Sequence, residues 1–361
     1  MKRKKIITLV LLIAVALIVI GIVLTKKIGN KATRLERKDG IFVVPTMNDK
    51  LYADSSWCGT FQLVWNDMKN ELVKKDIVFS PQIDMVRSLN KEDFNQTMIS
   101  EDYYYKKYGK KTLKLKEEIE NGIKEKFNQE SDILESIKWN DNSEAYLFYA
   151  MLYRKFEFLQ EFDKLKNDKF GNAYENIQYF GIDKNTKNSV GEQISVLYYN
   201  SKDDFAILVN TKTDDEVIFC KNPKGKNFND IYINMNNKAN KYTGSKSFED
   251  IDEFKSPKLE IDILRNYEEL TEKEFETANN DRVIITDAIQ TIKFSLDEKG
   301  GEIKSEAAID ISTSSIGSFI KEKPRYFYLD DTFAIFLKEK DKDKPYFAAR
   351  IDDITKFQKN D

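Results

Sequence analysis

The residues whose types and spacing indicate chemistry lie between Ala288 and Thr313. Apolar or small residues alternate there with charged ones on either side of the pair Gly300–Gly301. This period of two is typical of a strand with one buried face. Serine, threonine and glycine follow, a composition typical of an exposed loop. A segment that can enter a sheet and then continues into a loop indicates a bait peptide or a conformational switch.

The chain contains no histidine, which excludes Ser-His-Asp and Cys-His nucleophilic systems, HExxH metal sites and histidine general bases. Neither a GxGxxG motif nor a GxxxxGK[ST] motif is present, so no motif indicates nucleotide binding. A Ser-Lys dyad or a carboxylate pair stays open, because both residue types are abundant and no pair stands out. We therefore expect a protein that is not an enzyme and that needs no cofactor and no metal ion.

The balance of positive and negative side chains indicates which partners the chain can bind. The chain has 58 basic and 61 acidic side chains and a net charge of −3, which predicts a mixed, solvated surface. We expect a monomer that binds no nucleic acid.

The two cysteines, Cys58 and Cys220, are far apart in sequence and lie among apolar residues. They either form a disulfide in an oxidising compartment or remain as two separately buried thiols.

The N-terminal region predicts a membrane anchor. Ile6–Leu24 carries no charge, and a membrane-spanning helix needs about 20 apolar residues. The heavier positive charge on its N-terminal side favours a cytoplasmic N-terminus. We expect a single-pass protein of the cell membrane with its body outside the cytoplasm. The alternative is a cleaved signal peptide, which would make the protein secreted.

The elements that must position the alternating segment are helical mostly in the first half of the chain and extended mostly in the second. This order predicts an α+β architecture with an antiparallel sheet. Helical spacing covers Phe61–Val73, roughly 101–137 and Ala145 to about Leu165, whereas strand patterns cover Asp76–Pro81, Ile194–Val209, Lys258–Leu264, Arg325–Leu337 and Tyr346–Ile351.

Several of these segments, in this order, resemble the serpin family. The matching stretches span about Trp57 to Ile354. They are Phe61–Pro81, similar to the first helix and the following NIxFSP strand; Ile194–Val209, similar to a hairpin written LELPYKGxxxSMxIxLP; Pro257–Ile261, similar to PKFxI; Ile289–Ala308, similar to the strand and hinge before the reactive loop; Phe327–Leu337, similar to FxADRPFxFxI; and Tyr346–Ile351, similar to LFMGRV.

The resemblance implies a serpin-like α+β fold, with helices packed on large mixed or antiparallel sheets and an exposed reactive loop. It also implies a protease inhibitor whose loop is bait for a serine or cysteine protease. After cleavage the hinge inserts as a new central strand and the protease is trapped. The alternative is a non-inhibitory serpin-fold module for surface binding or structure. It is favoured by Gly301, which replaces the usual threonine, and by Ile303, Lys304, Ser305 and Glu306, which replace alanines.

The resemblance also assigns residues. The hinge consists of Glu298, Gly300, Gly301, Ile303, Ser305 and Ala307, and the cleavage region consists of Thr313, Ser314, Ser315 and Ile316. We expect the peptide beyond the glycine pair to lie outside the main sheet of the uncut molecule. The predicted organisation is a cytoplasmic tail at 1–5, the anchor at 6–25, a tether at 26–54, a serpin-like domain at 55–354 and a C-terminal tail at 355–361.

Overall fold

The computed structural model describes residues 40–140, 145–186, 188–303 and 324–358, which form an α+β structure with large mixed sheets and few helices. The α-helices are α1 Thr60–Asp67, α2 Asp84–Leu89, α3 Leu113–Phe127 and α4 Phe228–Lys241. A π-helix, Met68–Val73, continues α1. Short 3₁₀ helices cover Gln96–Met98, Glu101–Tyr103, Leu134–Ser136, Asn188–Gln193 and Ile354–Phe357.

The strands alternate with these helices along the chain and dominate its second half. They are β1 Phe42–Val43, β2 Ser55–Cys58, β3 Tyr104–Lys110, β4 Tyr146–Leu152, β5 Arg154–Glu157, β6 Asp163–Lys164, β7 Asp168–Phe170, β8 Tyr174–Ile177, β9 Tyr179–Ile182, β10 Ile194–Ser201, β11 Asp204–Asn210, β12 Asp215–Lys221, β13 Glu253–Pro257, β14 Leu259–Asn266, β15 Glu274–Glu276, β16 Arg282–Ile284, β17 Ile289–Asp297, β18 Gly300–Ile303, β19 Tyr326–Tyr328, β20 Phe333–Glu339 and β21 Phe347–Ile351.

The largest sheet has seven strands in the order β1-β2-β21-β20-β12-β11-β10. The hairpin predicted at Ile194–Val209 is confirmed as β10 and β11. The predicted closing strands are confirmed as β20 and β21, with β19 as a separate short strand. Side chains of β12, β20 and β21 are buried on both faces of this sheet, which places the centre of the hydrophobic core there.

The alternating segment lies in a four-stranded sheet in the order β14-β17-β18-β5. The strands predicted at Lys258–Leu264 and around Ile292–Leu296 are confirmed as β14 and β17, and all of β14 pairs antiparallel with residues 289–296 of β17. Beside this sheet, β3 and β4 pair antiparallel, and β4 leads into β5 through Tyr153. The remaining sheets are β19-β13-β9-β6, β15-β16 and β7-β8.

The helix predicted from Phe61 is confirmed as α1. The helix predicted over roughly 101–137 is confirmed only for α3, since β3 occupies part of that range. Three apolar side chains spaced four residues apart, Leu115, Ile119 and Ile123, form the buried face of α3. They pack against Tyr149 and Met151 of β4, so α3 covers the outer face of the β3–β4 pair.

The helix predicted from Ala145 to Leu165 is wrong, because this stretch forms β4 and β5. One face of β4 is covered by α3, and its other face lies in the apolar space near α1. A strand with apolar surroundings on both faces lacks alternation, and its continuous apolar run fits a helix equally well.

The strand predicted at Asp76–Pro81 is also wrong, although Ile77 and Phe79 are buried as a strand pattern requires. Side-chain amides take the place of a neighbouring strand. Phe79 N donates to Gln82 Oε1 at 3.0 Å, and the Ile77 carbonyl accepts from Asn90 Nδ2 at 2.8 Å. These bonds satisfy the extended backbone without sheet pairing.

The compact unit extends beyond both predicted boundaries. Ile41, Val43 and Met47, which the prediction places in the tether, are buried in the core, and so is Phe357 of the predicted C-terminal tail. The predicted anchor at Ile6–Leu24 lies outside the described residues. Within the described part of the chain, no helix is both long enough and apolar enough to span a membrane.

Candidate functional site

The segment that begins at the glycine pair is already a strand of the sheet. β18 pairs antiparallel with β17, through Gly301 opposite Leu296, and with β5, through Gly301 opposite Phe156. The expectation that the peptide beyond the glycines lies outside the sheet is therefore wrong for Glu302 and Ile303. Its physical reason is the two strand edges that meet at this end of the sheet and supply hydrogen-bonding partners on both sides.

The two glycines are required by the close approach of β5. Gly300 has φ +150°, and a Cβ atom built on it would lie 2.2 Å from the Phe156 carbonyl oxygen. A Cβ atom on Gly301 would lie 2.5 Å from Cζ of the Phe156 ring. The ring therefore fills the space that a larger residue at 301 would need.

The predicted alternation of burial holds for the described part of the hinge. Gly301 is buried, Ile303 is 3% exposed and Glu302 is half-buried on the opposite face. The Tyr153 hydroxyl donates to Glu302 Oε1 at 3.2 Å. Ser305 and Ala307 of the predicted hinge lie outside the described residues, and so do Thr313, Ser314, Ser315 and Ile316 of the predicted cleavage region.

Glu298, the first predicted hinge residue, lies in the turn between β17 and β18 and is 3% exposed. Its carboxylate forms ion pairs with Lys258 at 2.7 Å and Lys164 at 3.1 Å, and its carbonyl accepts from Phe162 N at 2.9 Å. Burial alone raises the pKa of Glu298, but hydrogen bonds to its charged form, led by that of Lys258, bring the pKa below its ordinary value. The base of β18 is thus fixed by charge and by main-chain bonding.

Beyond Ile303 the sheet opens into a groove between β4 and residues 289–294 of β17. The groove has a volume of about 460 Å³. Its floor includes Phe61, Val64 and Trp65 of α1. In the described residues, β4 pairs only with β3, and this part of β17 pairs only with β14. Two strand edges with available backbone groups therefore border one apolar groove, and such edges are templates for another strand.

A buried amide organises the polar part of the groove floor. Gln290 Nε2 donates to the Cys58 carbonyl at 3.1 Å and to Thr60 Oγ1 at 3.0 Å, and Gln290 Oε1 accepts from the Tyr267 hydroxyl at 2.7 Å. This network holds β17 to the start of α1. An amide that uses its donors and acceptor locally needs no ligand in the groove.

The two cysteines are separate buried thiols, which resolves the alternative left open by the sequence. Cys58 lies at the groove floor, whereas Cys220 contacts the Tyr198 hydroxyl at 3.6 Å within the seven-stranded sheet. Burial raises the pKa of the Cys220 thiol to about 11, so it stays protonated and unreactive near neutral pH.

A buried cation that sequence reasoning missed stands at the upper end of the groove. Arg154, opposite Ile303, is 0% exposed and forms an ion pair with Asp215 at 2.6 Å and another with Glu339. Burial lowers the pKa of Arg154, but the nearby Tyr346 and Asp215 raise it, and the net change is upward. Arg154 thus joins β5 to β12 and β20 of the seven-stranded sheet. In the sequence it is a single charge within an apolar stretch.

No catalytic arrangement emerges from these contacts, and the described residues contain no cluster of three or more His, Cys, Asp or Glu side chains that could hold a metal ion. Among the described residues, the geometry is that of an unfilled strand position. Its upper end is occupied by β18, and no described strand lies in its lower part, which is apolar at the floor and bordered by two strand edges.

No family model and no curated protein matches the chain. Solved structures similar to it include thyroxine-binding globulin in complex with thyroxine, at 13% identity and a TM-score of 0.40, covering 66% of this chain and 64% of that chain. Human thyroxine-binding globulin in a second structure has 12% identity, a TM-score of 0.39 and coverages of 66% and 63%. Serpin48, described as a highly specific serpin in the insect Tenebrio molitor, has 12% identity, a TM-score of 0.37 and coverages of 74% and 71%. The chain thus spans slightly less than two thirds of the two globulin chains.

Proposed function

We propose that this chain is a serpin-like conformational trap in which residues 304–311 continue β18 down the groove once the chain is cut beyond them. The observation that carries the proposal is the position of β18. It fills the upper end of the groove, next to the two strand edges that have no second partner strand among the described residues. The occupant is a segment of the same chain that starts at this point.

The pairing register of β18, continued beyond Ile303, predicts where each inserted residue would lie. Ile303 is opposite Arg154, and the antiparallel pairing continues by one residue at a time along both neighbours. The inward positions of the occupant are small or apolar, as an apolar floor requires. The continued register places Ser305 between Leu152 and Ile292, and Ala307 between Ala150 and Gln290.

Insertion is favourable on energetic grounds. Each inserted residue gains main-chain hydrogen bonds with β4 and β17, each with a net value of about 1 kcal/mol. Lys304 and Glu306 fall on the outer face, so no unpaired charge enters the floor. A net gain on the order of 5 kcal/mol remains after the ordering of the segment is deducted. That free energy is the source of the trapping step.

The proposed partner is a serine or cysteine protease that cuts near Thr313–Ile316. The proposed location is the outer side of the cell membrane, with Ile6–Leu24 as a single-pass anchor, or secretion if that segment is removed. Both rest on the sequence pattern and on the resemblance described above. The occupant must also stay out of the lower groove until it is cut, which requires that its far end be tethered to β19.

The test is incubation of the full chain with a panel of serine and cysteine proteases, followed by denaturing electrophoresis and mass mapping of the cut. We expect a covalent complex that survives denaturation, with the cut between residues 304 and 323. If every protease in the panel cuts the loop as plain substrate and forms no complex, the inhibitor proposal is rejected.

One observation favours the alternative, a non-inhibitory serpin-fold module for surface binding or structure. β18 is formed in the uncut chain and is matched to Phe156, so the hinge serves as an ordinary strand there. The two functions differ in the melting temperature of the cut chain. A large rise after the cut means that the loop inserts, whereas no rise favours the module.

A further inference from the structure

α3 lies over the outer side of the β3–β4 pair, and an ion pair at each of its ends reaches across the groove to the other side. Before α3, Lys111 Nζ lies 3.3 Å from Asp287 Oδ2. After α3, Asp132 Oδ1 lies 2.8 Å from Lys293 Nζ. We call residues 111–132 the crossbar. All four charged residues line the groove.

The crossbar is held differently on the two sides of the groove. On the β4 side, the buried face of α3 packs in an apolar cluster with Tyr149 and Met151, and Lys111 N donates to the Ala145 carbonyl at 2.8 Å. The described members of that cluster include no residue of β17. On the β17 side, the crossbar is held at the groove by the ion pairs of Lys111 with Asp287 and of Asp132 with Lys293. Apolar packing fastens one side of the crossbar, and charge fastens the other.

We propose that these two ion pairs are a latch that sets the rate at which the inserting strand enters the groove. The inference rests on the proposed function and concerns its regulation. The crossbar stays packed on β4, and it separates from β17 when the ion pairs break. The strand then enters beneath it, between the two edges.

The charges of the occupant bear on this step. In the continued register, Lys304 comes opposite Lys293 and Asp310 comes opposite Asp287. Like charges directly opposite one another on neighbouring strands are destabilising, so the entering strand competes with each β17-side latch residue for its partner on the crossbar. Entry of the strand therefore requires that the two ion pairs break.

The latch residues are partly exposed, with side-chain exposures of 24% for Asp132 and 42% for Lys293, so each pair has the modest strength of a surface ion pair. Breaking one pair should speed insertion about two- to fivefold, which corresponds to about 0.5–1 kcal/mol at a surface site. Because exposed charges are screened by salt, the rate in the unaltered chain should also rise with ionic strength.

The experiment cuts the full chain within 304–323 and follows insertion over time, by the rise in melting temperature and by amide exchange at β4. The variants are Asp132→Asn, Asp287→Asn and the pair together. The matched control is Glu175→Gln, which breaks the 2.6 Å Lys169–Glu175 ion pair on the β7–β8 hairpin, away from the groove. The charge swap Asp132→Lys with Lys293→Asp tests whether the pairing, and not the packing, sets the rate.

We expect each single variant to insert about two- to fivefold faster, the pair to combine both effects with a weaker salt dependence, and the charge swap to return toward the unaltered rate. The control should insert at the unaltered rate. Insertion of the latch variants at the control rate and with the control salt dependence overturns the latch while leaving the proposed function standing. A lack of insertion in every chain, the unaltered one included, overturns the proposed function and the latch together.

Discussion

The seven-stranded sheet and the sheet that borders the groove are built from similar sequence patterns, but they differ in how many of their strands are paired on both sides. In the first, β11, β12, β20 and β21 pair on both sides, and Val217, Phe219 and Ile335 are fully buried. Around the groove, the first part of β17 in the second sheet and the neighbouring β4 of the β3–β4 pair each pair on one side only among the described residues, and the groove separates them. Among the described residues, the first region has no gap between neighbouring strands, and the second has one.

This difference localises any large change of structure. Interior strands that are paired on both sides gain no hydrogen bonds from another strand, whereas two facing edges above an apolar floor gain hydrogen bonds and packing when a strand enters between them. In the proposed insertion, the seven-stranded sheet stays fixed, and the groove, β18 and the crossbar change.

The largest expected effect concerns Arg154, which joins the two regions. Arg154→Met leaves the carboxylates of Asp215 and Glu339 buried without their cation, and it should lower the free energy of unfolding by about 3–5 kcal/mol. Urea denaturation measures this change. Adding Asp215→Asn removes one of the orphaned charges and should recover part of the loss. A loss below about 1 kcal/mol in Arg154→Met would show that the two regions are not joined through this cation.

The next effect tests the fit between β18 and β5. Gly301→Thr places side-chain atoms against the Phe156 ring and should destabilise the chain by about 2–3 kcal/mol. In the Phe156→Ala background the same change should cost about 1–2 kcal/mol less. Recovery should be incomplete, because the new Cβ atom also lies 2.7 Å from the Ser295 carbonyl oxygen. Equal costs in both backgrounds would mean that Phe156 does not position the hinge.

A matched pair of valines compares the two regions directly. Val217→Ala, in the paired sheet, should cost about 2 kcal/mol, whereas Val64→Ala, on the groove floor, should cost about 0.5 kcal/mol or less. After the chain is cut and the strand has inserted, the Val64→Ala cost should rise, because Val64 is then covered. Thermal denaturation of cut and uncut chains gives both numbers. A Val64→Ala cost that is the same in both forms would argue against filling of the groove.

The smallest effect concerns the pH dependence of the hinge. The folded-state pKa of Glu298 lies below its ordinary value, so its ion pairs stabilise the fold at pH values above the unfolded pKa of about 4.3. That contribution is lost as the pH falls through the folded pKa. Glu298→Gln should therefore cost about 1 kcal/mol at pH 7 and progressively less below about pH 4. A cost that does not change between pH 7 and pH 3 would assign the role of Glu298 to packing.

The sequence predicted best those elements whose two faces differ. β10, β14 and β17 alternate between buried and less buried residues, and the inward positions Gly301 and Ile303 follow from the same alternation. It predicted poorly the elements with apolar surroundings on both sides. β4 lies between α3 and the groove, so its apolar run carried no period from which a strand could be told from a helix.

The candidate site was predicted in part. The local sequence pattern predicted the glycine pair and which hinge residues face inward. It did not predict the pairing of β18 with β5, because β5 lies more than a hundred residues earlier in the chain. Arg154 and the latch of the crossbar were missed for the same reason. Their partners are distant in sequence, and single charges in a chain with 58 basic and 61 acidic side chains do not stand out.

The measurement that tests the central claim most directly is amide hydrogen exchange at residues 146–152 and 289–294, before and after a single cut within 304–323. If the segment that follows β18 enters the groove, both edges should gain protection together, and the melting temperature should rise by about 5–10 °C for a gain on the order of 5 kcal/mol. Unchanged exchange at both edges in a chain that is fully cut would contradict the account, because the groove would then be a permanent feature of the fold.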